Sequence, residues 1–386
     1  MIVIDNKHNC CGCGACVQAC PQSCISMQID EEGFYYPKTD SQKCTGCGLC
    51  EKVCPVMQPL YKITPENSYV SYSSVEKTRK NGSSGGMFQT IAEYVINQGG
   101  IVFGARFDNE WNVIHDYTDH IEGLKVFCGS KYLQSRIGDC YRQAKSFLDN
   151  GKTVLFSGTP CQIHGLKRYL KKEYTNLLTI DFICHGVPSP KVWQSYINYN
   201  TCKKGLEKKH ISDIYFRDKA TGWKQYSLTI RQQLGAIAST PFRYDSYMQL
   251  FLKDYILRPS CYNCKFKNGA NLSDITLGDF WGVSDIHPEW DDDKGLSILL
   301  ANSSKGTETV SKLDSIVIHP LSLKDCVHKN PSYKCGAKEP INRNAFWNSF
   351  NRKGYYGAMS FLKRIQPSAF SRIKQRVKSY FHSLTH

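Results

Sequence analysis

At 386 residues the chain is long enough for a well-buried core and more than one domain, and 41% hydrophobic with 22% charged residues is an ordinary globular composition. No run approaches the roughly 18 to 20 apolar residues that span a bilayer, and Met1 to Gly14 lacks the apolar core of a secretory signal, so a cytoplasmic, reducing location is expected. The formal charge of +15 invites a nucleic-acid reading. The excess is spread along the chain with a local concentration at the C-terminus, so no nucleic-acid partner is expected.

A reducing compartment decides how 19 cysteines are read. Disulfide scaffolds belong to short secreted chains, and ten of these cysteines crowd between Cys10 and Cys54, which points to metal ligation. Cys10, Cys13, Cys16 and Cys20 stand at C-x2-C-x2-C-x3-C before Pro21, and Cys44, Cys47, Cys50 and Cys54 repeat the spacing before Pro55. A 4Fe-4S cubane needs one thiolate per iron; the tight loop wraps three irons and the fourth cysteine points at the other cluster. The expected sharing is Cys10, Cys13 and Cys16 with Cys54, and Cys44, Cys47 and Cys50 with Cys20. Zinc is the competing ion, but zinc ligands come in two separated pairs rather than four in eleven residues. Cys11 and Cys24 are surplus and read as small buried residues.

Residues 1–58 therefore form a two-cluster ferredoxin domain, and residues 59–80 read as a polar linker. A helix is expected from Gly86 to Asn97, stopped by Gly99-Gly100, then a buried strand at Ile101–Phe103. A second helix is expected over Leu133–Leu148, a strand over Thr153–Phe156, a helix to Leu170, and a strand over Leu177–Ile183. This order argues a mostly parallel sheet with helices on its faces. From about residue 210 the chain becomes strand-rich, with a hairpin of Ile214–Phe216 and Tyr226–Ile230, and further strands at Ile275–Leu277 and Leu296–Leu300. Beyond Asn342 it turns helical and basic. The fold class expected is α+β and multi-domain: a bacterial-type two-cluster ferredoxin fold, an α/β domain over 81–340 with a mostly parallel sheet and a strand-rich second half, and a basic helical tail over 341–386.

Four later cysteines sit where a site would form. Cys161 opens a helix after Ser157-Gly158-Thr159-Pro160, Cys184 ends a strand in Cys184-His185-Gly186, and Cys261 and Cys264 make a C-x2-C. A helix N-terminus favours a thiolate, and ligands of open α/β sheets gather at the carboxyl ends of strands. Together they would complete a third 4Fe-4S cluster. Two readings compete: Cys161 as a nucleophile with His164 or His185 as base, and plain structural cysteines. For Cys128, Cys140, Cys202, Cys326 and Cys335 the structural reading is preferred.

Ser83-Ser84-Gly85-Gly86 leads into a helix, where free amides and glycines offer a phosphate or diphosphate site, with Ser130-Lys131-Tyr132 adding a cation and an aromatic face. A glycine-rich cap without a ligand is the common alternative. Ser273-Asp274-Ile275-Thr276-Leu277-Gly278-Asp279-Phe280-Trp281-Gly282 reads as a strand entering an aromatic turn that either stacks on a planar ring or places a core tryptophan. Asp274 and Asp279 read as capping or turn residues.

Taken in order, the cysteine repeat, Ser84-Gly85-Gly86, Ser157-Gly158-Thr159-Pro160-Cys161-Gln162, Cys184-His185-Gly186, Cys261-x2-Cys264 and Asp274-Ile275-Thr276-Leu277-Gly278-Asp279 resemble the coenzyme F420 hydrogenase/dehydrogenase beta-subunit family over about residues 5 to 300. The resemblance implies FAD in the α/β domain, with Ser84, Gly85, Gly86 and Lys131 as contacts, and strengthens the third cluster. It also implies an iron–sulfur flavoprotein oxidoreductase that passes electrons between a redox partner and a small two-electron organic acceptor, coenzyme F420 or another. A non-catalytic electron-transfer subunit of a larger redox complex is the alternative. The fused ferredoxin and the long tail differ from the shortest members.

From Met359 to His386 the chain holds Lys363, Arg364, Arg372, Lys374, Arg376 and Lys378 and no acidic residue, with Phe370, Ile373, Val377 and Phe381 at helical spacing. Docking of that stripe on the protein's own body or on a partner subunit is preferred to peripheral contact with an anionic membrane.

Overall fold

The structure is a computed structural model that describes residues 1–366, apart from 234 and 271. It divides into two compact units, Met1–Lys338 and Glu339–His386.

In the amino-terminal part, two cysteine loops run into the short helices Ala15–Gln18 and Leu49–Lys52. Gly12 and Gly14 (φ 70° and 74°) recur as Gly46 and Gly48 (φ 71° and 70°), so the sequence repeat is also a conformational repeat. These left-handed angles suit glycine, which lacks the Cβ that would clash. Between the loops, strands β1 (Ile25–Ile29) and β2 (Tyr35–Thr39) pair antiparallel.

Strands β3 (Asn67–Ser73), β4 (Ile101–Phe107), β5 (Val113–Thr118), β6 (Val154–Ser157) and β7 (Leu177–Phe182) enter one large sheet, which three later strands complete. Beyond them, β8 (Asp213–Asp218), β9 (Ser227–Gln232) and β10 (Gly235–Pro241) make a separate antiparallel sheet, and β11 (Ile275–Asp279), β12 (Ser297–Ala301) and β13 (Ile316–Pro320) return to the large one. Its order is β13-β3-β12-β11-β7-β6-β4-β5. The expected parallel pairing holds at the centre, where β11, β7, β6 and β4 run together. The outer pairings are antiparallel, so the sheet as a whole is mixed.

Alternation along the central strands splits the core between two faces. Ile101, Phe103, Val154 and Phe156 pack under the helices Cys140–Asp149 and Pro160–Leu170, while Val102 and Leu155 meet Met87, Ile91 and Val95 of the helix Met87–Asn97 on the other face. The ferredoxin part joins the first of these cores through Cys13, Ala15 and Val53.

Two elements differ from expectation. The stretch 59–80, expected as a linker, supplies β3, which pairs with β12 and β13; its serines Ser71 and Ser73 are small enough to be buried there. The helix expected from Leu133 begins only at Cys140, because Arg136 lies beside β5, with Arg136 N donating to Val113 O at 3.0 Å and His115 N to Arg136 O at 2.8 Å. In the second unit, Arg343–Ile365 is helical with a break at Gly354 (φ 55°), and Phe346 packs on Phe361 across it with ring centroids 5.5 Å apart. The apolar stripe from Phe370 onward lies outside the described residues. Among those described, no helix is long and apolar enough to cross a membrane.

Candidate functional site

Within the ferredoxin part, Cys10, Cys13, Cys16, Cys20, Cys50 and Cys54 are buried, Cys44 is half-buried and Cys47 is exposed. Burial pushes the Cys16 thiol up to about 12, with Cys10 and Cys54 adding to it, and burial raises Cys54 with Cys10 adding. Cys54 is thus a neighbour of the first loop's cysteines. Cys20 Sγ lies 3.4 Å from Cys24 Sγ, and Cys24 also meets Cys44 of the second loop.

Burial opposes ionisation of Cys16 and Cys54, and a cationic iron centre is what would deprotonate them. Among the described residues, no three His, Cys, Asp or Glu side chains crowd one point as a single ion requires. A cubane instead takes one thiolate at each of four separated irons.

The later cysteines are brought together by the sheet. Strands β6 and β7 are parallel neighbours, so Cys161 and Cys184 leave adjacent carboxyl ends. The loop before Cys261 is tied to the segment after Cys184: Pro188 bridges Leu257, and Arg258 N donates to Val187 O at 3.0 Å. All four cysteines line one small cavity of about 40 Å³, and Cys11 lines it with them. The Cys11 thiol hydrogen-bonds both Cys13 and Cys161 and, with burial, lifts Cys161 well above the usual thiol range. Burial takes Cys184 to about 12, with Cys161 and Cys264 contributing. Cys11, read from the sequence as surplus, is thus a wall shared by the first cysteine loop and the later set. Its only sequence signal is the Cys10-Cys11 pair.

Nucleophilic use of Cys161 finds no support. His164 Nε2 donates to Ala270 O at 3.0 Å, and His185 Nε2 engages Asp254 Oδ1 at 2.6 Å. Neither histidine bonds the Cys161 thiol, whose partners are Thr159 and Cys11.

A second cavity, of about 510 Å³, has the size of a cofactor site. It is lined by Ser84, Gly86, Lys131, Tyr226 and Trp281, and by Cys184, which it shares with the thiol-walled cavity. The amino terminus of the helix Met87–Asn97 opens beside it. Gly86 has φ 85°, and a Cβ there would meet Thr78 O at 2.8 Å; one on Gly85 would meet Ser71 O at 2.6 Å. Close packing on the neighbouring helix and on β3 thus requires both glycines. Gly85 lies behind the cavity wall, its amide donating to Ser297 Oγ at 3.0 Å.

Lys131 lines the cavity, but its Nζ donates to the carbonyls of Phe127, Cys128 and Gly129, and burial lowers it to about 8. A second half-buried amine, Lys219, donates to Ser84 O at 3.0 Å and is likewise lowered to about 8 by burial, with Arg217 and Arg79 adding. Nothing in the sequence around Lys219 marked it.

The aromatic turn serves both of its readings, since Trp281 lines the cavity and stacks on buried Trp223 with ring centroids 4.7 Å apart. Asp279 pairs with Arg217, whereas Asp274 ties strands and a helix cap together, so neither is a simple turn residue. Of the remaining cysteines, Cys140 and Cys326 are buried, Cys128 is half-buried, and Cys202 and Cys335 are exposed.

Residues 9–57 match the family model described as a 4Fe-4S dicluster domain, and residues 151–321 match the model for the C terminus of the coenzyme F420 hydrogenase/dehydrogenase beta subunit. A chain of the F420-reducing [NiFe] hydrogenase complex from Methanosarcina barkeri is similar at 15% identity and a TM-score of 0.47, covering 79% of this chain and 93% of that one. No curated protein matches.

Proposed function

For a chain that joins a 4Fe-4S dicluster domain to the C-terminal domain of coenzyme F420 hydrogenase/dehydrogenase beta subunits, we propose an iron–sulfur flavoprotein oxidoreductase that works with a redox partner protein. Two 4Fe-4S clusters sit on the ferredoxin cysteines, a third on Cys161, Cys184, Cys261 and Cys264, and FAD in the larger cavity. The flavin, when bound, supplies the exchange between single electrons and a two-electron organic acceptor such as coenzyme F420.

The observation that carries this reading is the sharing of walls. Cys11 belongs to the first loop and to the later cysteine set, and Cys184 belongs to that set and to the larger cavity. Electron carriers need such adjacency, while structural cysteines do not. The chain's own residues hold and insulate the carriers. The amino terminus of the helix Met87–Asn97 lies at the cavity, where its free amides would hold a diphosphate, with Ser84 and Gly86 on the lining and Gly85 behind it. Lys131 and Lys219 are half-buried amines beside the same loop that keep the local field positive. Trp281, Tyr226 and Asp279 complete the wall of that cavity.

Anaerobic purification tests the proposal. About twelve irons, four per cubane, and close to one flavin per chain are expected. About eight irons without flavin would favour an electron-transfer subunit, and a colourless or zinc-bearing protein would end the redox reading.

A further inference from the structure

Arg258 is fully buried, and its guanidinium has no carboxylate partner among the described residues. Nε donates to Cys10 O at 2.7 Å, Nη1 to Gln134 Oε1 at 3.0 Å, and Nη2 to Tyr35 O at 3.0 Å and toward Cys10 Sγ at 3.5 Å. The rings of Tyr36 and Phe34 lie 4.1 and 5.6 Å from the guanidinium carbon. A buried cation is costly unless an anion answers it. The groups nearest to doing so are the thiols of Cys10, Cys11 and Cys261, together with Tyr36.

The same residue is anchored in the later cysteine set, because Cys261 N donates to Arg258 O at 2.9 Å. Its approach to the first loop depends on Gly12, where a Cβ would stand 2.9 Å from Nη1 and 2.5 Å from Gln134 Nε2. One arginine therefore has its backbone in one cysteine set and its charge on a ligand of another.

We infer that Arg258 is a positioning residue that sets the reduction potential of the cluster held by Cys10, Cys13, Cys16 and Cys54. Cys10 Sγ here stands for the thiolate that would bind iron. A hydrogen bond to that sulfur and a nearby positive charge both favour the reduced, more negative cluster, and so raise its potential. The cluster of Cys44, Cys47, Cys50 and Cys20 has no such arginine among the described residues. Electrons entering there would run downhill to the inner cluster, the one that faces the later set through Cys11.

The inference rests on the cluster assignment above, and one set of measurements separates the two. Iron content and EPR-monitored redox titrations would be compared for anaerobic wild type, Arg258→Gln and Arg258→Lys. With full iron, Arg258→Gln should move the midpoint of a single cluster to a more negative value, and Arg258→Lys should move it less. Full iron with every midpoint at its wild-type value overturns the inference and leaves the clusters standing. Wild type holding fewer than about eight irons removes the assignment itself. Should the variants fail to fold or to load iron, pulsed EPR of wild type carrying 15N-guanidino arginine decides: a nitrogen coupling to one reduced cluster supports the role, and its absence overturns it.

Discussion

Gly165 sits in the middle of the helix Pro160–Leu170 directly over Cys13: a Cβ on Gly165 would lie 3.0 Å from Cys13 Sγ and 2.9 Å from the Tyr141 hydroxyl. The ferredoxin part and the α/β core touch at the width of a glycine. On an exposed helix, Gly→Ala gains roughly 1 kcal/mol of helix stability. Here the added methyl overpacks against Cys13 and against a hydroxyl that donates to Gln162 O at 2.8 Å, which costs about 1–3 kcal/mol. Overpacking wins. Gly165→Ala should lower the anaerobic thermal midpoint and perturb the EPR signal of one cluster; a raised midpoint with unchanged spectra would show that the contact is slack.

Arg217 and Asp279 form a pair at 2.8 Å, with the arginine side chain only 2% exposed, the guanidinium carbon 4.3 Å from the ring of Tyr226 and 5.0 Å from that of Trp281. Replacing Asp279 by Asn leaves a buried guanidinium uncompensated, a loss of about 3 kcal/mol or more. Adding Arg217→Met to Asp279→Asn removes the stranded charge, so the double variant should melt above Asp279→Asn alone. Since Asp279, Tyr226 and Trp281 line the larger cavity, retention of the proposed flavin should fall in the single variant. Equal melting of the two variants would show that the charge is not what the pair stabilises.

The ferredoxin loops were legible because eight cysteines and their glycines stand close together in sequence, and the helix Met87–Asn97 because its apolar residues recur at helical spacing. Strand β3 was not, since Asn67–Ser73 reads as polar, and only the sheet around it reveals that small hydroxyl side chains fill its buried positions. The four later cysteines were legible as separate motifs, while their meeting depends on two adjacent parallel strands and a returning loop. Lys219 and Arg258 carry no local signal, and Cys11 carries only its place beside Cys10. Their roles arise from which distant segment packs beside them, information that a single sequence holds only through the fold.

Asp274 is a structural knot. Its Oδ2 accepts Thr179 N at 2.8 Å and Thr179 Oγ1 at 2.6 Å, and its Oδ1 accepts Ser303 Oγ at 2.8 Å. It thereby joins β7 and β11 to the cap of the helix Ser304–Ser311. Asp274→Ala strands three buried or half-buried donors, each worth about 1 kcal/mol or more, so a loss of roughly 3 kcal/mol is expected. Asp274→Asn keeps the shape and one oxygen and should lose less. Iron content should stay at the wild-type level in both, because the knot lies at the opposite ends of the strands from the cysteines. Loss of iron in parallel with stability would contradict that separation.

Acid should weaken the fold through buried histidines. His115 is held neutral between the Ser135 hydroxyl and Ser157 O, the latter 3.0 Å from Nε2, and burial lowers it from 6.5 to about 4. Burial also lowers His164 to about 4. In the unfolded chain both would take up protons below 6.5, so their stabilising contribution is complete above that pH and is lost as pH falls toward 4. Asp245 opposes them: burial raises it from 3.8 to about 6, the folded state keeps its proton, and stability is gained as pH falls between those values. Two groups outweigh one. Between neutral pH and about pH 5.5 each histidine removes about 1 kcal/mol. Wild type should therefore melt lower at the acid end, and His115→Gln, which keeps a donor for Ser157 O, should show a smaller drop. Acid damage to the clusters is common to both proteins, so equal drops would place the pH dependence in the clusters and not in His115.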